Sequence, residues 1–280
     1  MVYLILEYNN KKIINDINEK YKNWALDLIG VEHAWEKTKG EGVTVAILDS
    51  GINHDHKDLK GKIKNANALY DDYGHGTAVA GLIVGEKTGV APNAKILSYK
   101  VLNNKGLGTT SDIYDGLMRA INSDVDIICM SIGTEKELPI PFESVFKKAE
   151  KKGIIVVSAI GNKGINYAEY PSYYDSVIGV SGIDESKNKS KFSNYSKSVD
   201  ISAPSSNIIS THLSGNYAEY SGTSFASALI AGAIALMKSH FKNNDIILNK
   251  ENIIELFRSI NRNKNVDYGY GIIDLTKIIK

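Results

Sequence analysis

The sequence predicts a single α/β domain in which a doubly wound, mainly parallel sheet carries helices on both faces. Short runs rich in Val and Ile alternate with segments of helical periodicity, which is the pattern of βαβ units. The apolar runs are nearly continuous, as expected of parallel strands that are buried on both faces. No Pro- or Gly-rich linker divides the 280 residues, so one domain is expected.

Strands and helices alternate along most of the chain. Strands are expected at residues 43–49, 94–102, 125–132, 153–160 and 176–183. Helices are expected at residues 75–84, 110–122, 142–152, 223–240 and 250–260. The segment at 223–240 is apolar on nearly every face, so its helix is expected to run through the core.

The first 22 residues are expected to form a short extension to a domain at residues 23–280. Four large apolar side chains recur at helical spacing: Ile14, Ile17, Tyr21 and Trp24. This spacing predicts a short helix packed on the domain. The run MVYLILEY at 1–8 predicts instead a strand that pairs with a sheet edge.

Composition offers little support for charged or membrane partners. With 33 basic and 32 acidic residues the net charge is +1, and the lysines are scattered among acids. The N-terminal apolar stretch is too short for a signal peptide, and no run approaches the roughly 20 residues of a membrane helix. We expect a cytoplasmic chain with no nucleic-acid or membrane partner. The single cysteine, Cys129, is expected to pack as a small hydrophobe.

Four polar residues stand where predicted strands end or helices begin: Asp49, His75, Asn162 and Ser224. Each has a purely structural interpretation when taken singly. The carboxylate caps a turn, the histidine packs in the core, the asparagine fills a left-handed turn, and the serine caps a helix. In a doubly wound sheet, however, the carboxyl ends of the strands form the edge at which catalytic groups collect.

Together these four residues supply the parts needed for attack on a peptide carbonyl. A serine attacks only when an imidazole takes its proton and a carboxylate holds that imidazole in the right tautomer. The oxyanion that develops needs hydrogen-bond donors, which an asparagine amide and a backbone N–H at a helix start provide. One candidate for each role is present in the chain.

Six motifs resemble those of the subtilisin-like serine proteases. They are VAILDSGINHDHKDL around Asp49, GHGTAVAG around His75, GVAPNAKI at 89–96, MSIG at 130–133, AIGNKG at 159–164 and GTSFASALIAG at 222–232. The resemblance covers roughly residues 22–280, and the order Asp, His, Ser is that of subtilisin. It implies that Asp49 orients His75, that His75 is the general base, and that Ser224 is the nucleophile. Asn162 matches the oxyanion donor.

The same resemblance implies two backbone edges that bind an extended peptide as an added strand. One edge is Gly106, Leu107 and Gly108, and the other is Ser131, Ile132 and Gly133. The family's pocket for P1, the residue before the scissile bond, has its floor just before a Tyr-Pro pair, where this chain has Glu169. A carboxylate there favours Arg or Lys, and less strongly Gln, at P1. The alternative is a glutamate turned to solvent.

Departures from the family pattern bear on metal binding. Asp58 matches one calcium ligand of the family, but only GEKT stands where calcium-binding relatives carry a longer loop. Calcium takes about six to eight oxygen ligands, and the sequence does not show where they come from. We therefore expect no required cofactor and no metal-ligating residues, although a structural calcium ion stays open as an alternative.

The resemblance implies a serine endopeptidase, and two cytosolic branches of the family are similar in size. Lantibiotic leader peptidases remove the leader from a modified precursor, whereas intracellular subtilisins degrade cytosolic proteins and begin with a short inhibitory extension. Residues 1–22 leave no room for a domain-sized propeptide and contain no Pro, so with Glu169 as a selector the processing peptidase is favoured. A non-catalytic peptide-binding protein is the weaker alternative. A further hypothesis places the strand at 1–8 in the substrate cleft as a brake.

Overall fold

The structure, a computed structural model, describes residues 3–5, 9–17, 23–64, 70–139 and 141–280. Its strands are β1 (Tyr3–Ile5), β2 (Asn9–Ile14), β3 (Thr44–Asp49), β4 (Lys95–Lys100), β5 (Leu107–Thr109), β6 (Ile127–Met130), β7 (Ile155–Ala159), β8 (Val177–Ile183), β9 (Val199–Pro204), β10 (Ile208–Thr211) and β11 (Tyr217–Ser221). Its helices are α1 (Trp24–Leu28), α2 (Val31–Trp35), α3 (His75–Val84), α4 (Thr110–Ile121), α5 (Pro141–Lys151), α6 (Thr223–Lys242), α7 (Lys250–Ile260) and α8 (Leu275–Ile278). The predicted helices correspond to α3 through α7.

Six parallel strands form the main sheet, in the order β4–β3–β6–β7–β8–β9. This sheet confirms the predicted α/β class and contains each of the predicted strands. Asp49 is the last residue of β3, so its side chain leaves the sheet at the carboxyl edge. The sixth strand, β9, lies at the edge of the sheet. Its residues alternate between apolar and polar in VDISAP, so no continuous apolar run announces it.

Successive residues of β3 face two hydrophobic cores, one on each side of the sheet. Ile47 belongs to the core that contains α3 and α6, whereas Leu48 packs in the core that contains α4 and α5. Both faces are therefore covered by helices, as the near-continuous apolar runs predict. Cys129 is fully buried in the first core, and burial raises the pKa of its thiol to about 12.

The first core is organised around α6. Its residues from Thr223 to Ser239 are all buried. In the part of the chain that the structure describes, α6 is the one helix long and apolar enough to cross a membrane, and 89% of its most apolar window is buried inside the domain. A helix that is apolar on all faces is typical of a protein core, and the burial identifies α6 as such a helix.

The N-terminal residues add strands to two edges of the domain. β1 pairs antiparallel with β5, with Leu4 opposite Gly108. This pairing confirms the strand predicted at 1–8 for residues 3–5, and residues 6–8 lie outside the described residues. β2 pairs antiparallel with β11, the strand that leads into α6.

The helix predicted from the spacing of four apolar side chains is wrong. Ile14 ends β2, and Trp24 begins the separate helix α1, while Tyr21 lies outside the described residues. The physical reason is that β11 offers an edge with unpaired backbone groups, and Ile14 becomes buried against Ile209 and Tyr217 when β2 pairs there. The division of the chain at residues 22 and 23 stays a prediction.

Beyond β2, the extension contacts the domain through charged groups. The Asp16 carboxylate pairs with the ammonium groups of Lys87 at 3.0 Å and Lys57 at 3.3 Å. Hydrogen bonds from both lysines lower the pKa of Asp16. These pairs are exposed, so they orient the segment more than they stabilise it.

A buried histidine connects this region to the hairpin of β10 and β11. His56 is 1% exposed, its Nδ1 accepts a hydrogen bond from Asp58 N at 3.1 Å, and its Nε2 lies 2.8 Å from Asn216 O. These partners require the neutral ring with the proton on Nε2. Burial lowers the pKa of His56 below its ordinary value.

We predict that acid destabilises the chain through His56. In the unfolded state the imidazole takes a proton near pH 6.5, whereas the folded state resists that proton to a lower pH. The stabilisation is therefore complete above about pH 6.5 and is lost as the pH falls through the lowered folded pKa. Between pH 7.5 and 5, the free energy of unfolding measured with denaturant should fall less in His56→Gln than in the wild type. If it falls by the same amount in both proteins, the prediction is contradicted. His54→Gln, at a side chain 39% exposed, is the matched control.

Candidate active site

A buried carboxylate and a buried imidazole meet at the carboxyl edge of the sheet. Asp49 ends β3 and His75 begins α3, and His75 Nδ1 lies 2.9 Å from Asp49 Oδ2 and 3.0 Å from Oδ1. The two side chains are 1% and 0% exposed, respectively. The carboxylate also accepts a hydrogen bond from Ser50 N at 2.7 Å. Because the carboxylate only accepts, Nδ1 carries the proton and Nε2 is left as the basic nitrogen.

The close approach of α3 to β3 depends on a glycine. A Cβ atom added to Gly76 would lie 2.1 Å from the carbonyl oxygen of Gly51 and 3.1 Å from the Cβ of Asp49. Such distances are far inside van der Waals contact, so only glycine fits there. The GHG sequence around His75 is thus explained by packing as well as by chemistry.

Ser224 lies in the first turn of α6, and its neighbour Phe225 contacts His75. The ring of its neighbour Phe225 has its centroid 5.5 Å from the centroid of the His75 ring. Ser224 Oγ donates to Ser131 O at 3.0 Å, and the N-cap of α6 is Gly222, without a side-chain cap. The Ser224 hydroxyl therefore does not cap the helix. To act as a nucleophile, this hydroxyl would have to turn from Ser131 toward the imidazole.

The amide of Asn162 has a fixed orientation. Its Oδ1 accepts hydrogen bonds from Thr223 N at 2.8 Å and from Thr223 Oγ1 at 2.9 Å. Because the oxygen is held by the start of α6, the Nδ2 hydrogens are directed the other way, as an oxyanion donor requires. The left-handed position of this turn, at a φ of 116°, belongs to Gly161 rather than to Asn162.

A pocket of about 280 Å³ opens beside Ser224. It brings together the predicted residues Ser131, Ile132, Gly133, Asn162 and Glu169. A Cβ added to Gly133 would lie 2.3 Å from Glu169 Oε2, and one added to Gly161 would lie 2.9 Å from Glu169 Cδ. The carboxylate therefore lies between the two walls of the pocket rather than in bulk solvent. At the mouth, Lys163 Nζ pairs with Glu135 Oε2 at 3.2 Å.

The other predicted edge lies on the histidine side and is not part of this pocket lining. A Cβ on Gly106 would lie 2.8 Å from the Tyr73 ring, two residues before His75. Leu107 and Gly108 belong to β5, which pairs with β1. The edge is thus able to hold an extended chain in antiparallel pairing, which is the mode expected for a peptide substrate.

Asp58, which matches one calcium ligand of the family, has both carboxylate oxygens occupied by hydrogen bonds within the chain. Its Oδ1 accepts from Lys87 N at 3.0 Å and from Tyr217 OH at 3.2 Å, and its Oδ2 accepts from Thr88 Oγ1 at 3.0 Å. The carboxylate therefore closes the short GEKT loop by hydrogen bonds. No group of three or more His, Cys, Asp or Glu side chains suited to a metal occurs within the described ranges. That no cofactor is required stays a prediction.

Sequence reasoning missed several residues that hold the site together. Thr223 orients the asparagine amide, and Ser227 Oγ donates to Ser224 O at 2.8 Å. Asp71 is fully buried behind the imidazole-bearing turn, although YDDYGHG has the composition of a solvated loop. No signal in the sequence points to it, because residues 71–74 form a loop and not a helix, so the four-residue spacing to His75 carries no periodicity.

The buried carboxylate–imidazole contact, together with the serine at the start of α6, is typical of serine proteases. Comparison with known proteins agrees with this class. Residues 40–271 match the subtilase family of peptidases, and the chain belongs to that family. It is 39% identical over 255 residues to an intracellular serine protease of Paenibacillus polymyxa, covering 84% of this chain and 77% of the relative. The major intracellular serine protease of Bacillus subtilis is 37% identical over 259 residues, covering 84% and 80%. Thermitase of Thermoactinomyces vulgaris is 34% identical over 238 residues, covering 80% and 85%. The protein is a subtilisin-like serine protease.

We predict that the amide of Asn162 contributes to kcat rather than to substrate affinity. Asn162→Ala should lower kcat by about 10²–10³ with little change in KM, a range taken from the loss of such a donor in subtilisin. Thr223→Val keeps the Asn162 amide and the Thr223 N–H but removes the hydrogen bond from Thr223 Oγ1. The decrease in kcat should therefore be smaller in Thr223→Val than in Asn162→Ala. Steady-state kinetics on a chromogenic peptide measure both. Equal losses in the two variants, or a loss confined to KM, contradict the assignment.

Proposed function

We propose that this protein is a serine endopeptidase in which Asp49, His75 and Ser224 form the triad. The observation that carries the proposal is the buried Asp49–His75 contact, at 2.9 Å, beside the first turn of α6. The carboxylate holds the proton on Nδ1, so Nε2 takes the proton of Ser224 as the hydroxyl attacks the peptide carbonyl. The imidazolium then gives that proton to the leaving amine, and water repeats the sequence on the acyl-enzyme.

Asn162 is assigned to the oxyanion that develops in each of these steps. Its oxygen is held by Thr223, so its N–H groups are preorganised and no rotation is needed during the reaction. The backbone N–H groups at the start of α6 lie at the positive end of that helix and supply further donors. A peptide substrate in extended conformation would run between the edges at residues 106–108 and 131–133.

Glu169 is assigned to recognition of P1. Its carboxylate lies between Gly133 and Gly161 in the pocket beside Ser224. A positively charged Arg or Lys side chain that enters the pocket gains a charge-assisted hydrogen bond there, and Gln gains a weaker one. The pocket thus favours basic P1 residues over apolar ones.

Two physiological functions are compatible with this site. Selective recognition at P1 favours a processing peptidase, of which a lantibiotic leader peptidase is an example. The names of the relatives, intracellular serine proteases, favour the alternative of an intracellular protease, which in our hypothesis degrades cytosolic proteins broadly. Both assign the chain to the cytoplasm, with peptides or proteins as substrates and no nucleic-acid or membrane partner. A non-catalytic binding role has less support, because all four proposed catalytic groups are present.

Cleavage of a diverse peptide library, mapped by mass spectrometry, tests the function and the role of Glu169 together. Cleavage should occur after Arg, Lys or Gln and should be absent in Ser224→Ala. We compare kcat/KM for a substrate with Arg at P1 with kcat/KM for one with Leu at P1. In Glu169→Ala this ratio should fall by about 10- to 100-fold, which corresponds to the free energy of a hydrogen bond to a charged group.

Glu135→Ala, at the mouth of the same pocket, is the matched control and should change that ratio far less. An unchanged P1 preference in Glu169→Ala contradicts the assignment. Indiscriminate cleavage by the wild type favours the degradative function over the processing one. Turnover by Ser224→Ala contradicts the proposed nucleophile.

We also propose that the N-terminal strand restrains the enzyme. β1 occupies the backbone edge of β5, which is one of the two edges assigned to substrate. β2 anchors the same segment to β11. A tethered competitor has an effective concentration on the order of millimolar, so even weak strand pairing blocks the edge for most of the time.

Deletion of residues 1–8 should therefore raise kcat/KM for a short peptide. If the dissociation constant of β1 from the β5 edge is about tenfold below the effective concentration of the tethered strand, the increase should be about tenfold. β2 is retained in this variant, so the fold is undisturbed. Leu4→Pro, which removes a strand N–H, should resemble the deletion, and Leu4→Val should resemble the wild type. Equal kcat/KM in the deleted and complete chains would contradict the proposal that β1 restrains the enzyme.

A further inference from the structure

We propose that Asp71 is a positioning residue for His75, holding the imidazole-bearing turn against Asp49 and supplying a fixed negative charge behind it. The inference rests on the proposed function, because it assumes that His75 is the general base. Asp71 touches neither the substrate nor the reacting atoms. It is fully buried, and the mechanism described above makes no use of it.

The carboxylate of Asp71 lies in a cradle of donors. Oδ1 accepts hydrogen bonds from Ser50 Oγ at 2.9 Å, Tyr73 N at 3.0 Å and Gly74 N at 2.8 Å. Oδ2 accepts from Thr77 N at 2.9 Å and Thr77 Oγ1 at 2.6 Å. Five donors, three of them backbone amides, fit an ionised carboxylate, which accepts at both oxygens. A buried charge is tolerated only where it is compensated in this way.

These contacts satisfy the start of α3, the helix that His75 begins. The N-cap residue, Gly74, has no side chain to receive the first amides of the helix. Asp71 accepts Gly74 N and Thr77 N directly, and Ser50 Oγ accepts Gly76 N at 3.0 Å. A carboxylate at this end also interacts favourably with the positive pole of the ten-residue helix. The orientation of the first turn is therefore set by Asp71.

The same carboxylate reaches the partner of His75 through one side chain. Ser50 follows Asp49, donates its N–H to Asp49 Oδ1 at 2.7 Å, and donates its hydroxyl to Asp71. Asp71 and Ser50 thus join the end of β3 to the start of α3. The distance between the Asp49 carboxylate and the imidazole is fixed by this bridge, and a displacement of about 1 Å at such a site costs up to 100-fold in rate.

The charge of Asp71 adds an electrostatic effect to the geometric one. The imidazolium that forms when His75 takes the serine proton is stabilised by a second buried carboxylate. Among the described residues, other charged or titratable groups around this turn include Asp49 on β3, Tyr70, Asp72 and Tyr73 in the loop, and Lys100 on β4. The Lys100 ammonium contacts Ser50 O and Asp72 Oδ1, both at 2.5 Å. Phe225, from α6, adds an apolar face to the histidine.

The test compares Asp71→Asn with Asp58→Asn in the full chain. Asp58 is also buried and accepts three hydrogen bonds, but from the GEKT loop and β11 rather than from the turn that bears His75. Active sites are counted with a fluorophosphonate, so that kcat refers to folded, competent enzyme. We expect Asp71→Asn to lower kcat by about tenfold or more with KM within about threefold, and to move the acid limb of the kcat/KM profile to lower pH.

Asp58→Asn should lower the melting temperature and leave kcat and the acid limb at their wild-type values. The proposal is overturned if Asp71→Asn keeps the wild-type kcat and acid limb per active site, or if both variants behave alike. Where Asp71→Asn fails to fold, Ser50→Ala decides, because it keeps the charge but removes the bridge. It should lower kcat at unchanged KM without moving the acid limb, and a wild-type kcat overturns the proposal. Turnover by His75→Ala would instead refute the proposed triad.

Discussion

The contact between Asp49 and His75 is the interaction on which the rest of the site depends. Both groups are removed from water, and a buried carboxylate is strongly unfavourable unless donors replace its hydration. The imidazole N–H and the Ser50 N–H are such donors. To keep them in place the fold must hold the end of β3 and the start of α3 at hydrogen-bonding distance. Gly76 allows the approach, and Asp71 secures it.

The opposite side of α3 is secured by the hairpin of β10 and β11. Ser210 Oγ donates to Ala78 O at 2.6 Å, and Thr211 Oγ1 donates to Thr77 O at 2.7 Å. A Cβ on Gly81 would lie 2.2 Å from Thr211 Oγ1, so the helix and the hairpin are in direct contact. The same hairpin pairs with β2 and leads into the helix that bears Ser224. The N-terminal extension, His75 and Ser224 are therefore connected through one small antiparallel sheet.

The sequence predicts those parts of this arrangement that depend on regular patterns. Continuous apolar runs predict the strands of the parallel sheet except β9, where polar residues alternate with apolar ones. The motifs around Asp49, His75, Asn162 and Ser224 predict the polar residues of the candidate site, of which Asn162 and Ser224 line the pocket. The helix expected from Ile14 and its neighbours fails because pairing with a distant strand overrides local periodicity.

Other features depend on contacts between residues far apart in the chain. Asp71 lies in a polar loop whose burial follows from tertiary packing, and nothing in its composition distinguishes it from a solvated turn. Thr223 acquires its role only because Asn162, 61 residues away, is brought against the start of α6. Local sequence carries no information about such pairs unless related sequences can be compared.

The central claim is that Ser224 is a nucleophile activated by His75. The most direct measurement is the intact mass of the protein after reaction with a fluorophosphonate, followed by peptide mapping, with and without residues 1–8. The account predicts one adduct, on Ser224, that is absent in Ser224→Ala and forms far more slowly in His75→Ala. An adduct on another residue, or undiminished labelling of His75→Ala, would contradict it.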